Sequence, residues 1–245
     1  MDFSAINNLK LKAAFNDVLA FSKVQKNEDF LEELFEDDNR GIIYVCDCED
    51  LGHSKFIKDT KGIGNNKIFT ITNLPHQDVF LWHIDGVVFA KNEKCDCAVL
   101  TNKELVFIEF KTNAVLKSDE SREENHRKAC NQLLNTISEV QIRCQNVGVD
   151  LLKKVTVEAY AVFNNTIPRC SATQKRYAAD FLSKSGGIKL KFDNSKKTEV
   201  SKLPVCRIGE VRHSHLTSEP KLIHIVTYPK KGDKIGKQQP NIYNY

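Results

Sequence analysis

Hydrophobic and polar positions alternate across residues 95–111 in the manner of two paired strands. The apolar run Cys95-Asp96-Cys97-Ala98-Val99-Leu100 meets a short polar break, Thr101-Asn102-Lys103. Glu104-Leu105-Val106-Phe107-Ile108-Glu109-Phe110-Lys111 follows. Two apolar runs of strand length around so short a break predict a β-hairpin. Side chains on a strand alternate between faces, so Glu109 and Lys111 share one face while Ile108 and Phe110 take the other. Asp96 joins Glu109 if the connecting loop holds an even number of residues. A four-residue loop, residues 101–104, sets the acids directly opposite, with Cβ atoms about 4.5–5.5 Å apart. A two-residue loop leaves them diagonal, about 7–8 Å apart between Cα atoms. Two carboxylates so close among apolar neighbours repel each other and are costly without a cation between them.

The rest of the pattern surrounds this hairpin with helices and strands. Residues 4–23 carry Ile6, Leu9, Ala13, Phe15, Val18 and Leu19 at helical spacings, with Ser4 as an N-cap. Asn27 can cap a second helix whose apolar stripe is Phe30, Leu31, Leu34 and Phe35. After Gly41, residues 42–48 predict a strand, 50–66 a polar glycine-bearing stretch, 67–72 a strand and 80–89 a long strand. Residues 118–145 predict a helix on Ala129, Leu133, Ile137, Val140 and Cys144, with Gly148 as its stop. Residues 155–163 predict a strand, 172–184 a helix ended by Gly186-Gly187, and 188–192 a short strand. Beyond these, strands are expected at 205–208 and 222–227, before a flexible basic tail from Lys230. No internal repeat is visible.

Composition narrows the class. A chain of 245 residues fits one domain with elaborations. No apolar run approaches the roughly 20 residues that span a bilayer. The first residues carry neither a basic segment nor an apolar stretch, so no secretory signal is expected. Eight cysteines then predict reduced thiols in a soluble cytoplasmic protein without a membrane partner. The net charge of +4 conceals an asymmetry: residues 169–245 hold sixteen Lys/Arg against six Asp/Glu. Such a basic third can face a polyanion, although exposed lysines are also ordinary surface.

The hairpin with its two acids and one ammonium resembles the PD-(D/E)xK nuclease superfamily. Asp96 stands for the aspartate of that motif and Glu109-Phe110-Lys111 for its E-x-K, with Cys95 where the family name has a loosely kept proline. The resemblance covers residues 80–165. It implies a restriction-endonuclease-like α/β (α+β mixed) fold: a three-layer core of order α-β-β-β-α-β, its mixed central sheet between helices. Extra strands fall within 41–79. Residues 1–192 would form the nuclease domain, and 193–245 a basic extension packed on it. The activity implied is Mg²⁺-dependent hydrolysis of phosphodiester bonds, Mn²⁺ substituting, by a DNA endonuclease in a prokaryotic defence or restriction setting. Specificity would come from a homodimer or a partner subunit.

Roles follow from the same resemblance. Asp96 and Glu109 would hold the metal together with the backbone carbonyl of Phe110. Lys111 would orient the attacking water or steady the phosphate. Relatives place a glutamine on the following helix, which here is Gln132, and Lys128 lies one turn earlier on the same side. Relatives also supply an acid from the first helix, for which Glu28 and Glu32 are the candidates. Asp85, in His83-Ile84-Asp85-Gly86, is a competing acid on the preceding strand, while His83 is expected to be packed or hydrogen-bonded and Trp82, Phe80 and Phe89 to lie in the core. The triplets Cys46-Asp47-Cys48 and Cys95-Asp96-Cys97, with His53 nearby, invite a zinc reading, but zinc sites usually space cysteines by two to four residues. Cys95 and Cys97 are instead expected to pack opposite Asp96. The competing functions are a nucleic-acid-binding subunit that cleaves nothing, an RNA-directed nuclease and a zinc-stabilised interaction module.

Overall fold

A computed structural model describes residues 4–15, 34–48, 52–64, 67–85, 94–111, 119–163 and 171–198. The chain divides into Met1–Lys202 and Leu203–Tyr245, and every described residue lies in the first unit. The expected strands at 205–208 and 222–227, the basic tail, Glu28 and Glu32 all fall outside the described residues.

The class is mixed α/β, built on two mixed sheets. β1 (Phe35–Asp38), β5 (Val79–His83), β6 (Cys97–Leu100), β7 (Glu104–Lys111), β8 (Thr156–Phe163) and β9 (Lys189–Lys191) form a six-stranded sheet in the order β1-β5-β6-β7-β8-β9. Pairing is antiparallel from β1 to β7 and parallel from β7 through β8 to β9. β2 (Ile42–Cys48), β3 (His53–Ile57), β4 (Ile68–Thr72) and β10 (Ser195–Lys197) form a second sheet in the order β10-β4-β2-β3. The helices are α1 (Ser4–Asn8), α2 (Leu11–Ala14), α3 (Asp119–Asn146), α4 (Leu151–Lys154) and α5 (Ala172–Lys184). α3 is the crossover that parallel β7 and β8 require.

Alternation along β7 divides the core. Leu105 and Phe107 pack with Ala129, Leu133, Ile137, Val140 and Cys144 of α3, and with Phe181 of α5. Val106, Ile108 and Phe110 pack with Ile43 and Val45 of β2 and Phe69 and Ile71 of β4. Each fully buried side chain of this kind contributes roughly 1.5–3 kcal/mol relative to exposure. Both faces of the central sheet are thus covered, as its continuous apolar strands require. Among the described residues helices cover one face, whereas the second sheet covers the other. The expected sandwich between helices differs there because alternating residues in 42–48 and 68–72 supply a second apolar sheet face.

Local chemistry sets the boundaries. α3 ends in a Schellman arrangement, with Val149 N donating to Cys144 O at 2.8 Å and Gly148 N to Gln145 O at 2.9 Å. Gly148 takes φ +79°, open to glycine without strain. Ser171 caps α5, its Oγ accepting from Gln174 N at 3.2 Å. The expected helix over 4–23 is interrupted where Lys10 takes the left-handed φ of 49°. Phe35, assigned to a helical stripe, begins β1 and pairs with Trp82; pairing to β5 overrides the local spacing. The polar stretch 50–66 holds a further strand, β3, and residues 195–197 join the second sheet as β10.

Candidate active site

The hairpin turn is four residues long. Pairing of Leu100 with Leu105 and Cys97 with Ile108 leaves residues 101–104 as the loop and carries Asp96 to the position opposite Glu109. Thr101 holds this loop: its Oγ1 accepts from Lys103 N at 3.3 Å and Glu104 N at 3.1 Å, and its N–H donates to Glu104 O at 2.9 Å. Beyond the paired ladder, Phe110 N donates to Asp96 Oδ2 at 2.6 Å, which ties the aspartate to the E-x-K strand.

Helix α3 closes the site from above this face. Thr136 accepts from Cys95 N at 2.8 Å and donates to Gln132 O at 2.8 Å, fixing the start of β6 against the helix. One turn earlier, Gln132 Nε2 donates to Lys94 O at 3.0 Å. That bond orients the amide so that its oxygen accepts from Lys111 Nζ at 2.5 Å. Lys111 also donates to Glu109 Oε1. Asp96, Glu109, Lys111 and Gln132, each picked out by the sequence, therefore converge at one end of the sheet. The second Glu109 oxygen, Oε2, is buried and has no hydrogen-bond partner among the described residues.

The electrostatics are those of buried acids whose desolvation and mutual repulsion outweigh the Lys111 ammonium. Burial pushes the Glu109 carboxyl well above the usual carboxylate range, and Asp96 beside it pushes further. Burial likewise raises Asp96 to about 7; the Phe110 N–H opposes the rise, and Asp47 and Asp85 add to it. The donors facing this space are carboxylate oxygens, the set preferred by a hard dication such as Mg²⁺. An unpartnered buried carboxylate oxygen beside a second acid fits such an ion. Phe110 contributes by its backbone: N–H and C=O of a strand residue point to the same edge, so its carbonyl lies on the Asp96 side.

The remaining candidates fall at different distances from this cluster. Asp85 is exposed at the edge of the site, its N–H donating to Asp96 O at 3.3 Å beside Ile84 N at 3.4 Å. Two residues opposite one make a bulge-like step of the kind that re-aims a side chain. Lys128 stands on the solvent side of α3, 3.7 Å from Glu124, and is not brought into the cluster. Cys97 packs on the face opposite Asp96, but Cys95 packs on the helix side. The expectation for Cys95 fails because it precedes β6 and its backbone follows Thr136, not the strand alternation. Asp47, Lys94 and Thr136 were not singled out; the repeated Cys-Asp-Cys triplet was the one signal pointing to Asp47. Comparison with protein-family models, with curated proteins and with solved structures finds no match. No helix among the described residues is long and apolar enough to cross a membrane.

Proposed function

We propose that the chain is a divalent-metal-dependent nuclease hydrolysing phosphodiester bonds, with DNA as the substrate and Mg²⁺ as the ion. The observation that carries the proposal is the convergence of Asp96, Glu109, Lys111 and Gln132 around a buried carboxylate oxygen that has no hydrogen-bond partner among the described residues. Asp96 and Glu109 would hold the ion with the Phe110 carbonyl. When bound, it supplies charge neutralisation at the phosphate and a more acidic bound water. Lys111, held between Glu109 and Gln132, presents an ammonium that can face the attacking water or a non-bridging phosphate oxygen. Gln132 keeps that ammonium in place through its second bond to Lys94 O. The Phe110 N–H and the bulge-like step hold Asp96 against this row, and Thr136 holds the preceding Cys95 backbone. Basic residues of 169–245 other than those paired within the fold, such as Lys191 and Lys196, would supply sequence-independent affinity for the phosphate backbone.

The test is digestion of supercoiled plasmid and of single-stranded RNA in parallel, each with Mg²⁺, with Mn²⁺ and with EDTA. Nicked or linear plasmid with either ion, and none with EDTA, is the expected result. Cleavage confined to RNA would transfer the proposal to an RNA-directed nuclease. Absence of cleavage of both substrates in both ions would leave the competing function, a nucleic-acid-binding subunit.

A further inference from the structure

On the opposite face of the central sheet, a second group of ligating side chains meets that the nuclease proposal does not use. Glu36 of β1, His53 of β3 and His83 of β5 each offer one donor atom, and these atoms lie within 4.8 Å of one another. Along β5, Phe80 and Trp82 face the helices whereas Val79 and Leu81 face the second sheet, so alternation sets His83 on the second-sheet side. Its Nε2 lies 3.3 Å from Glu36 Oε1, and its ring meets that of His53 with centroids 5.0 Å apart. The other Glu36 oxygen accepts from Phe56 N at 2.9 Å, which aims Oε1 at the histidines. A ligating carboxylate held by a backbone N–H is the usual outer support of a metal site.

We propose that Glu36, His53 and His83 bind a borderline transition-metal dication, Zn²⁺ foremost, at a site separate from Asp96 and Glu109. Two imidazoles and one carboxylate select Zn²⁺ and its neighbours over Mg²⁺, which takes oxygen donors. Zinc bonds of about 2.0–2.2 Å bring three donors within about 3.5 Å of each other. Small side-chain rotations therefore suffice from separations of at most 4.8 Å. Glu36 and His53 are half-buried, so water can complete the coordination shell. The ligands come from the edge strand of each sheet, β1 and β3, and from β5, so the bound ion ties the two sheets together. The ordinary alternative is a Glu36–His83 ion pair with a neighbouring ring.

The experiment uses the full chain carrying Asp96→Asn and Glu109→Gln, so that zinc at the oxygen site is not counted. After chelator stripping, Zn²⁺ loading and buffer exchange, bound zinc is measured together with the shift in Tm. About one zinc per chain, a raised Tm and no displacement by excess Mg²⁺ are expected. His53→Ala and Glu36→Gln, each checked for fold by circular dichroism, should weaken zinc by more than the roughly 10–100-fold typical of a merely orienting group. Co²⁺ loaded on the same protein without those two substitutions should show visible absorption bands of nitrogen-containing ligation, which keeps the test decisive if a variant fails to fold. No retained zinc and no such bands, or undiminished zinc in either folded variant, would overturn the proposal.

Discussion

Glu109 and Asp96 are carboxyl groups that burial in the fold pushes above the usual carboxylate range. Asp96 rises from an ordinary 3.8 to about 7, because burial disfavours its charged form. A raised folded value means that the native state keeps a proton that the unfolded chain releases. The resulting stability is fully present below about pH 4 and is lost as pH rises through about 7. Thermal unfolding of the metal-free protein should therefore show a falling Tm across that window, and Asp96→Asn should flatten the fall. An unchanged pH profile in the variant would place the titration elsewhere. Gln132 offers a second test at this scale. Gln132→Ala removes the acceptor for Lys111 and the tie to Lys94 O. Single-turnover cleavage should slow by roughly 10–100-fold, the range for groups that orient a site, with an unchanged circular dichroism spectrum.

At the scale of elements, one side chain of β10 reaches across to the other sheet. Lys196 pairs within the second sheet through its backbone, yet its ammonium reaches Glu104 of β7 at 2.6 Å and Glu158 of β8 at 2.8 Å. Burial pushes the Glu158 carboxyl up, but hydrogen bonds from Lys191 and Lys196 outweigh it and leave the pKa lowered. Lys196→Ala strips Glu104, which is 1% exposed, of this cation and should cost about 3–5 kcal/mol in urea unfolding. Adding Glu104→Gln should recover part of the loss; strictly additive effects would contradict a coupled pair. The same strand shows where sequence reading stops. The hairpin, α3, β8 and α5 were legible because each carries its own apolar period and boundary residues. β1, β3 and β10 read Phe-Glu-Asp-Asp, His-Ser-Lys-Phe-Ile and Ser-Lys-Lys. All three are edge strands: β1 and β10 pair with strands distant in sequence, a context that local pattern does not contain, whereas β3 pairs with neighbouring β2 but carries too few apolar residues to show an alternation. For the candidate site the division is the same. Three groups came from one hairpin and were legible by alternation, whereas the charge of Asp47 arrives from another sheet.

Over the whole molecule, the proposed nuclease sets an acidic site beside a basic C-terminal third in the sequence. Its carboxylates would repel a phosphate backbone until a dication is bound, so lysines elsewhere would supply the affinity. Lys230, Lys231, Lys234 and Lys237 lie in the most basic segment. Changing all four to Gln should weaken DNA binding and flatten the plot of log affinity against log salt, by about 0.9 per lysine that meets a phosphate. An unaltered slope would make them ordinary surface. The central claim is that the end of the β6–β7 hairpin, with Gln132 above it, performs the hydrolysis. Its most direct test is the Mg²⁺-dependent rate of plasmid cleavage by Lys111→Ala beside the unaltered chain, with fold checked by circular dichroism. The account predicts a loss of at least about a hundredfold, the scale of removing one charge-stabilising donor; an undiminished rate in the folded variant would contradict it.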